Sequence, residues 1–240
     1  PESGLSLLIL GGRTGCGKTD LLREFPGSVD LEGLAGHRGS AFGQRIGGQP
    51  TQIAFENRLA VELSSLAEEL ERTPGGNPRR PLLLEDESRR IGRIALPLEL
   101  HQRMQRSRLV VLETSMPERV EITRRQYVEH NLEEIMARCA ASEDPLARAL
   151  QVLESDLLTS IRRIGRRLGG ARAARVSDMV RSAMERHRNG DSTAHSDWIR
   201  VLLDEYYDPM YDYQIGRKAH LVAFKGDRAQ VADWLSDQMR

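Results

Sequence analysis

The chain contains 240 residues, and its 35 basic residues balance its 35 acidic residues. This length can bury a full core, whereas the balanced charge indicates no particular class of partner. Because its two cysteines form neither a disulfide framework nor a metal-ligand pattern, and no signal peptide or apolar run of membrane-spanning length is present, the sequence predicts a cytoplasmic protein without membrane contact.

The first predicted elements enclose a phosphate-binding loop. The apolar run at 5–11 predicts a buried strand, and residues 18–25 predict a helix. Between them, Gly12-Arg13-Thr14-Gly15-Cys16-Gly17-Lys18-Thr19 has the G-x4-G-K-T spacing of a P-loop. The glycines let backbone N–H groups turn towards an anion, and a helix N-terminus adds partial positive charge. The alternative is a glycine-rich turn that binds no ligand.

The lysine and the final threonine of this loop have predicted roles in phosphate binding. Lys18 is predicted to reach the outer phosphate, and the hydroxyl of Thr19 to bind Mg²⁺. Of the 35 basic residues 32 are arginines, which suggests that position 18 needs a point charge rather than a planar guanidinium. The predicted phosphate-binding residues are Gly12, Gly15, Cys16, Gly17, Lys18 and Thr19.

The remaining pattern predicts a sheet interrupted by a helical region. Short apolar runs typical of buried strands occur at 28–31, 82–84, 109–112 and 220–224. Helical spacing occurs at 51–71, 98–105, 196–206 and from 227 onwards, with polar, glycine-rich or proline-rich loops at 32–50 and 73–81. From 117 to about 188 only helices are expected, with breaks near 142–145 and 169–170.

Strands alternating with helices favour an α/β fold. We predict a P-loop NTPase-like, doubly wound and mainly parallel sheet with a mostly helical insert. Residues 1–116 would form the first part of the α/β core, residues 117–190 the insert, and residues 191–240 the return to the core.

Three carboxylates, Glu85-Asp86-Glu87, follow the predicted strand at 82–84. The carboxyl ends of parallel strands face the ligand crevice, so one carboxylate there would hold a metal and another would act as a base. Strand alternation points Glu85 and Glu87 to one side and Asp86 to the other. Glu85 and Asp86, with Thr19, are the predicted Mg²⁺ ligands, and a solvated acidic loop is the alternative.

The run from Asp30 to Gly43 combines glycines, carboxylates, His37 and Arg38 directly after the second predicted strand. Glycines permit the backbone to approach a substrate closely, and loops at this edge of a sheet commonly contact the ligand. We expect His37 and Arg38 to bind phosphate or an anionic leaving group. Taken alone, His37 would more often be a surface histidine.

A basic stretch and a tyrosine cluster are the candidates for RNA contact. Nine arginines lie between Ser160 and Arg188, opposed by only two acids. Helical spacing places four of them on one stripe, which fits contacts with a phosphate backbone, although a solvated helix is an equal alternative. The predicted RNA-binding residues are Arg162, Arg163, Arg166 and Arg167 with the aromatic side chains of Tyr207 and Tyr211. The tyrosines are alternatively a helix end that packs the insert onto the sheet.

Three runs together resemble the P-loop half of the bacterial tRNA 2-selenouridine synthase family. They are Asp30–Gly43, Glu85–Gly92 and Tyr207–Tyr211, and the first two are far more specific than a P-loop alone. The resemblance implies action on 2-thiouridine at the wobble position of tRNA. It implies attachment of a geranyl group from geranyl diphosphate to the sulfur, followed by replacement of the geranylthio group with selenium from selenophosphate.

The resemblance also implies roles and partners. Lys18, Glu85, Asp86, His37 and Arg38 would be the catalytic residues, with Mg²⁺ as cofactor and tRNA as partner. Members of this family carry a rhodanese-like domain before the P-loop domain, and their catalytic cysteine lies there. Neither Cys16 nor Cys139 lies in a rhodanese-type loop, and the chain begins at Pro1 rather than Met, so we expect a fragment competent only for the P-loop-dependent step.

Two other functions remain open from the residues themselves. One is a protein that hydrolyses ATP or GTP at the same loop. The other is a non-catalytic RNA-binding module whose loop only senses a ligand. The first predicts nucleotide turnover without RNA, and the second predicts RNA binding that survives loss of Lys18.

Overall fold

The strands form one parallel sheet and a short hairpin in the computed structural model, which describes residues 6–45, 47–72 and 80–239. In chain order they are β1 (Leu7–Gly12), β2 (Ser28–Val29), β3 (Leu82–Glu85), β4 (Arg90–Ile91), β5 (Ile94–Ala95), β6 (Arg108–Leu112) and β7 (Val222–Gly226). The five-stranded sheet has the order β2-β3-β1-β6-β7 and its pairs are all parallel. β4 and β5 pair with each other in the antiparallel sense.

Helices occupy most of the rest of the described chain. They are α1 (Lys18–Leu22), α2 (Leu31–Ala35), α3 (Gln52–Arg72), α4 (Leu98–Met104), α5 (Met116–Arg124), α6 (His130–Arg138), α7 (Pro145–Leu168), α8 (Gly170–Arg188), α9 (Ser196–Leu202), α10 (Asp208–Arg217) and α11 (Arg228–Gln238). One π-helical turn joins α5 to α6 and another joins α9 to α10. In the described residues, no helix has the length and apolar character of a membrane span.

The central strand β1 explains why the sheet is covered on both faces. Every residue of β1 is buried, and successive side chains of a strand point to opposite faces. Leu8 and Leu10 pack in one cluster with residues of α1 and α11. Leu7 and Ile9 pack in another with residues of α2, α3 and α4. The doubly wound α/β fold predicted from the sequence is therefore confirmed.

Several element boundaries differ from the sequence prediction for local reasons. The strand predicted at 28–31 ends at Val29, because the Asp30 side chain accepts a hydrogen bond from Gly33 N (2.6 Å) and caps α2 within the glycine-rich segment. The last strand begins at Val222 rather than 220. The β4–β5 hairpin was not predicted, and residues 73–79 of the predicted loop at 73–81 lie outside the described residues.

The helical part extends further than the predicted insert at 117–190. α5 to α8 contribute to one apolar core, and this core also contains Trp198, Leu202 and Tyr207. Residues 191–207 therefore pack with the helical part rather than with the sheet. The return to the α/β part begins within α10, where Ile215 packs against the cluster beneath α2, α3 and α4.

A buried chain of hydrogen bonds fixes the protonation state of one histidine in this helical core. Trp198 Nε1 donates to His195 Nδ1 (2.9 Å), and His195 Nε2 lies 3.1 Å from His187 Nδ1. Since Nδ1 of His195 accepts, its single proton resides on Nε2 and is donated to His187. Burial, together with the neighbouring His187 and Arg124, lowers the pKa of His195 to about 4.

We predict that this histidine makes the fold sensitive to acid. His195 takes up a proton near pH 6.5 in the unfolded chain but only near pH 4 in the folded chain. The contribution of the neutral His195 to the stability of the fold is therefore complete above pH 6.5 and is lost as the pH falls towards 4. From this group, the free energy of unfolding should fall by about 1.4 kcal/mol per pH unit in that window. Urea unfolding from pH 7 to 4 should give a smaller pH slope for His195→Gln than for wild type. His130→Gln removes an exposed imidazole and should keep the wild-type slope; equal slopes for all three proteins would contradict the prediction.

Candidate functional site

The glycine-rich loop at 13–17 connects the end of β1 to the start of α1, as predicted. Gly15 (φ 78°) and Gly17 (φ 83°) have left-handed backbone conformations that favour glycine. A Cβ on Gly15 would also collide with Thr123 Oγ1 and lie 2.9 Å from Arg119 O. The loop is therefore shaped both by its own glycines and by the close approach of α5.

Lys18 is the first residue of α1 and lies among acidic groups. Its Nζ donates to Gly12 O (2.9 Å) and lies 3.9 Å from Cys16 Sγ. Burial by itself lowers the pKa of Lys18, but the nearby Cys16 and the carboxylates of Glu87, Glu32 and Glu85 more than offset it, so the pKa is raised. The side chain is thus a permanent cation held beside the loop.

Three carboxylates meet next to Lys18. Oxygen atoms of Glu32, Glu85 and Glu87 all lie within 4.8 Å of one another, and we call these residues the carboxylate cluster. The predicted alternation is present, since Glu85 and Glu87 turn to the same side. Asp86 lies apart from the cluster, and its Oδ1 accepts from Lys218 Nζ (2.6 Å). Asp86, a predicted metal ligand, therefore already has a cationic partner.

Glu85 is the most deeply buried member of the carboxylate cluster. It is 0 % exposed, and neither of its side-chain oxygens has a hydrogen-bond partner among the described residues. Burial, followed by the charges of Glu32 and Glu87, raises the pKa of Glu85 well above its usual value. Burial and Glu32 raise the pKa of Glu87 to about 8. Burial also raises the pKa of Glu32, although Lys18 and a hydrogen bond from Gly39 N (2.6 Å) oppose the shift.

A buried ion pair between α5 and α10 anchors the glycine-rich loop. Arg119 in α5 is 2 % exposed and donates through both terminal nitrogens to Asp208 at the start of α10 (2.8 and 2.5 Å). Its Nε donates to Thr14 O in the loop (2.9 Å). Arg13, also in the loop, pairs with Asp208 (3.5 Å) and with the exposed Asp212 (2.7 Å). Loop, α5 and α10 are therefore joined at Asp208.

The loop and two members of the carboxylate cluster, Glu32 and Glu87, line a cleft of about 910 Å³ between the sheet and the helical part, whereas Glu85 is fully buried and does not line it. On the helical side, α7 contributes Arg163, Arg166 and Arg167 to its wall. Arg163 donates to Gln44 Oε1 (3.1 Å), whereas Arg166 and Arg167 have no ion-pair or hydrogen-bond partner in the described chain. Three of the four predicted RNA-contacting arginines thus face the same cleft as Lys18.

The rest of the basic stretch is directed elsewhere. Arg162 donates to Thr159 Oγ1 (2.7 Å) and lines a separate groove. The other arginines of the stretch pair with acidic residues of the helical part; they are Arg172, Arg175, Arg181, Arg186 and Arg188. The predicted local excess of positive charge is consequently concentrated on the cleft side of α7.

The remaining candidates divide into residues in the cleft and residues in the core. His37 lines the cleft, and burial together with Arg163 and Arg45 lowers its pKa, so the ring is neutral at pH 7. Arg38 is only 8 % exposed, donates to Asn131 Oδ1 (2.6 Å), stacks on Tyr127 and is not among the residues that line the cleft.

The two tyrosines also differ in position. Tyr207 borders the cleft, but it is only 8 % exposed and most of its ring packs in the helical core. Tyr211 lines the cleft and its buried hydroxyl has no partner among the described residues. Burial raises the pKa of Tyr211, so the hydroxyl keeps its proton and remains a potential donor.

Three residues of the site were not among those predicted from the sequence, namely Glu32, Arg119 and Asp208. A signal for Glu32 existed, because it follows the second strand at the same sheet edge as Glu85. Arg119 carries no such signal among so many arginines. Its role depends on the packing of α5 and α10 against each other, which no local sequence pattern predicts.

Comparison with known proteins identifies related sequences. Residues 5–240 match the family model described as the tRNA 2-selenouridine synthase AAA domain. The chain is 48 % identical over 230 residues to a tRNA 2-selenouridine synthase of Hahella chejuensis, covering 96 % of this chain and 58 % of the relative. It is 41 % identical over 237 residues to that of Alcanivorax borkumensis, covering 98 % and 62 %. The chain thus spans about three fifths of the length of these curated relatives, and no solved structure matches it.

We predict that Asp208→Asn destabilises the protein strongly. The substitution leaves Arg119 buried without its anionic partner, and breaking a buried pair from one side costs about 3–5 kcal/mol. Asp212→Asn is the matched control, because it removes an exposed partner of Arg13, and such pairs contribute about 0–1 kcal/mol. Urea unfolding measures both, and equal stability of the two variants would refute the role given to Asp208.

Proposed function

We propose, because this chain belongs to the tRNA 2-selenouridine synthase AAA-domain family, that its cleft binds a phosphorylated donor used to modify a tRNA base. The observation that carries the proposal is the meeting of Lys18, the carboxylate cluster and the α7 arginines at one cleft. Cations on two sides suit an anionic group, and the carboxylates suit a metal ion bound with it. Since the chain spans about three fifths of its relatives' length, the proposal concerns the phosphate-dependent part of the reaction.

The donors we propose are geranyl diphosphate and selenophosphate, acting on 2-thiouridine at the wobble position. In the first step the sulfur of the base forms a bond to the geranyl carbon while the carbon–oxygen bond breaks, diphosphate leaves with the electron pair, and the base releases its N3 proton to solvent. In the second step the selenium of selenophosphate forms a bond to C2 of the base while the C2–S bond breaks and geranylthiol leaves. Water then cleaves the Se–P bond, which releases phosphate and leaves selenium on the base. Both steps require an anionic group to be held in place, and fixed cations stabilise the charge that develops on the leaving diphosphate.

The chain's own side chains supply these contacts. Lys18 would bind the diphosphate from the loop side, and Arg166 and Arg167 would approach it from α7. The hydroxyl of Tyr211 and the neutral ring of His37 offer hydrogen bonds within the same cleft. Arg38 is left out of this proposal because of its buried contacts with Asn131 and Tyr127.

An adjoining cavity supports an apolar donor. It has a volume of about 390 Å³ and shares Tyr127 and Arg163 with the cleft. Its apolar lining includes Phe42, Ile135, Leu153 and Leu157, and polar side chains such as Asn131 also border it. A hydrocarbon chain attached to a diphosphate in the cleft would be removed from water there, which is favourable in proportion to the apolar area buried.

The carboxylate cluster fits Mg²⁺ on its chemistry. Carboxylate oxygens are the ligands that this ion prefers, and Glu85 has two buried oxygens without partners. We propose that Glu32, Glu85 and Glu87 hold the ion together with the hydroxyl of Thr19, and that Asp86 does not, because it pairs with Lys218. Bound there, Mg²⁺ would neutralise charge on the phosphate group of the donor.

We predict that Lys18→Ala weakens binding of geranyl diphosphate by about 10- to 150-fold, because a hydrogen bond to a charged group contributes about 1.5–3 kcal/mol. Calorimetric titration with Mg²⁺ measures this effect. The control is Lys225→Ala, which removes an exposed lysine paired with Glu113.

The same titration with selenophosphate, ATP and GTP tests the alternatives. Binding of ATP or GTP alone would make the cleft a nucleotide site and would contradict the proposed donors. RNA binding with no donor binding at all would favour a non-catalytic RNA-binding module.

For the metal, we predict that Glu85→Gln abolishes binding of Mn²⁺, used as a paramagnetic substitute for Mg²⁺, whereas Asp86→Asn retains it. The substitution at 85 removes one negative charge from the carboxylate cluster, and the one at 86 acts only on the pair with Lys218. Electron paramagnetic resonance of free Mn²⁺ measures both. Equal affinities for the two variants would contradict the assignment of the cluster.

A further inference from the structure

A second groove opens from the cleft between α4 and α10. It has a volume of about 470 Å³ and shares Asp86, Glu87, Ser88 and Gln214 with the cleft, so the two are continuous. Beyond the shared residues its lining is mainly basic and aromatic, with Arg89, His101, Tyr213, Arg217, Lys218 and His220. We call it the α4–α10 groove.

The charges of this groove are largely available to a ligand. Lys218 neutralises Asp86 within it (2.6 Å). By contrast, the exposed side chains of Arg89 and Arg217 have no ion-pair or hydrogen-bond partner in the part of the chain that the structure describes. The groove therefore offers two uncompensated guanidinium groups to an anion.

An aromatic ring stands beside one of these arginines. Tyr213 is 68 % exposed, although large aromatic side chains normally bury most of their area. It precedes Arg217 by four residues on α10, so both side chains project from one face of the helix. A free ring next to a free guanidinium provides a stacking surface and a phosphate contact within one helical turn.

We propose that the α4–α10 groove binds a single-stranded RNA segment adjacent to the nucleotide that enters the cleft. A base would stack on Tyr213, and the neighbouring phosphates would contact Arg89 and Arg217. This inference rests on the proposed function, because it takes the partner of the cleft to be RNA.

The continuity of groove and cleft favours this ligand over other anions. An enzyme acting on a base must take that base out of its stack, so the flanking nucleotides leave the active site as a single strand. Aromatic platforms with basic groups along the backbone are the general means of holding such strands. A strand in the α4–α10 groove would therefore lead directly to the nucleotide that reacts in the cleft.

Fluorescence anisotropy of a labelled anticodon stem-loop RNA, titrated with the 240-residue chain, tests the proposal. Tyr213→Ala should weaken binding by about 5- to 150-fold, the effect expected for one stacked base. Tyr213→Phe keeps the ring and should bind like wild type. Arg217→Gln should weaken binding and reduce the slope of log K against log salt by about 0.7, as for one lost phosphate contact on a single strand. Arg58→Gln removes an exposed arginine on α3, outside the groove, and should have no effect.

The outcomes separate this inference from the proposed function. If wild type binds the RNA and both Tyr213→Ala and Arg217→Gln bind it equally well, the α4–α10 groove assignment is overturned while RNA remains the partner. If wild type does not bind the RNA, both the groove assignment and the RNA partner fail. Calorimetric titration of Tyr213→Ala with geranyl diphosphate should match wild type; a loss there would show damage to the cleft and would also overturn the separate role of the groove.

Discussion

The buried pair between Arg119 and Asp208 is the interaction on which the site depends. Two charges removed from water are stable only where geometry and additional hydrogen bonds compensate for lost solvation. Here the guanidinium makes two bonds to the carboxylate and a third to the backbone of Thr14. The pair joins segments 14, 119 and 208, which are far apart in the chain, so the loop takes its position from the docking of α5 and α10.

Around this fixed loop, the carboxylate cluster and the cations of the cleft do not fully neutralise one another. Glu85 lies fully buried beside two further carboxylates, with Lys18 as the cation they share. Burial, and after it the like charges of the neighbouring carboxylates, disfavours ionisation of these groups, which is why their pKa values rise. A bound cation would relieve this repulsion, just as a bound anion would satisfy Lys18 and the α7 arginines. The arrangement is thus suited to binding a metal and a phosphate group together.

The helical part contributes more than a cover for the sheet. α7 places Arg163, Arg166 and Arg167 opposite the loop, and α10 runs from the buried pair at Asp208 to the exposed Tyr213 and Arg217. One helix therefore connects the residue that positions the loop with the surface proposed to hold RNA. The proposed phosphate site and the proposed RNA-binding groove would thus share α10 as a scaffold, one near each end of the helix.

The sequence by itself determined the doubly wound sheet, the glycine-rich loop before Lys18 and the opposite orientations of Glu85 and Asp86. These depend on local conformation and on the period-2 alternation of strands, which sequence spacing reports directly. Tertiary structure alone decided that Glu32 joins Glu85, that Tyr207 is buried while Tyr213 is exposed, and that the helical part continues past residue 190. Each of these outcomes depends on which distant segments pack together. The chain has many arginines, tyrosines and acidic residues, and which of them become buried is set by those tertiary contacts rather than by neighbours along the chain.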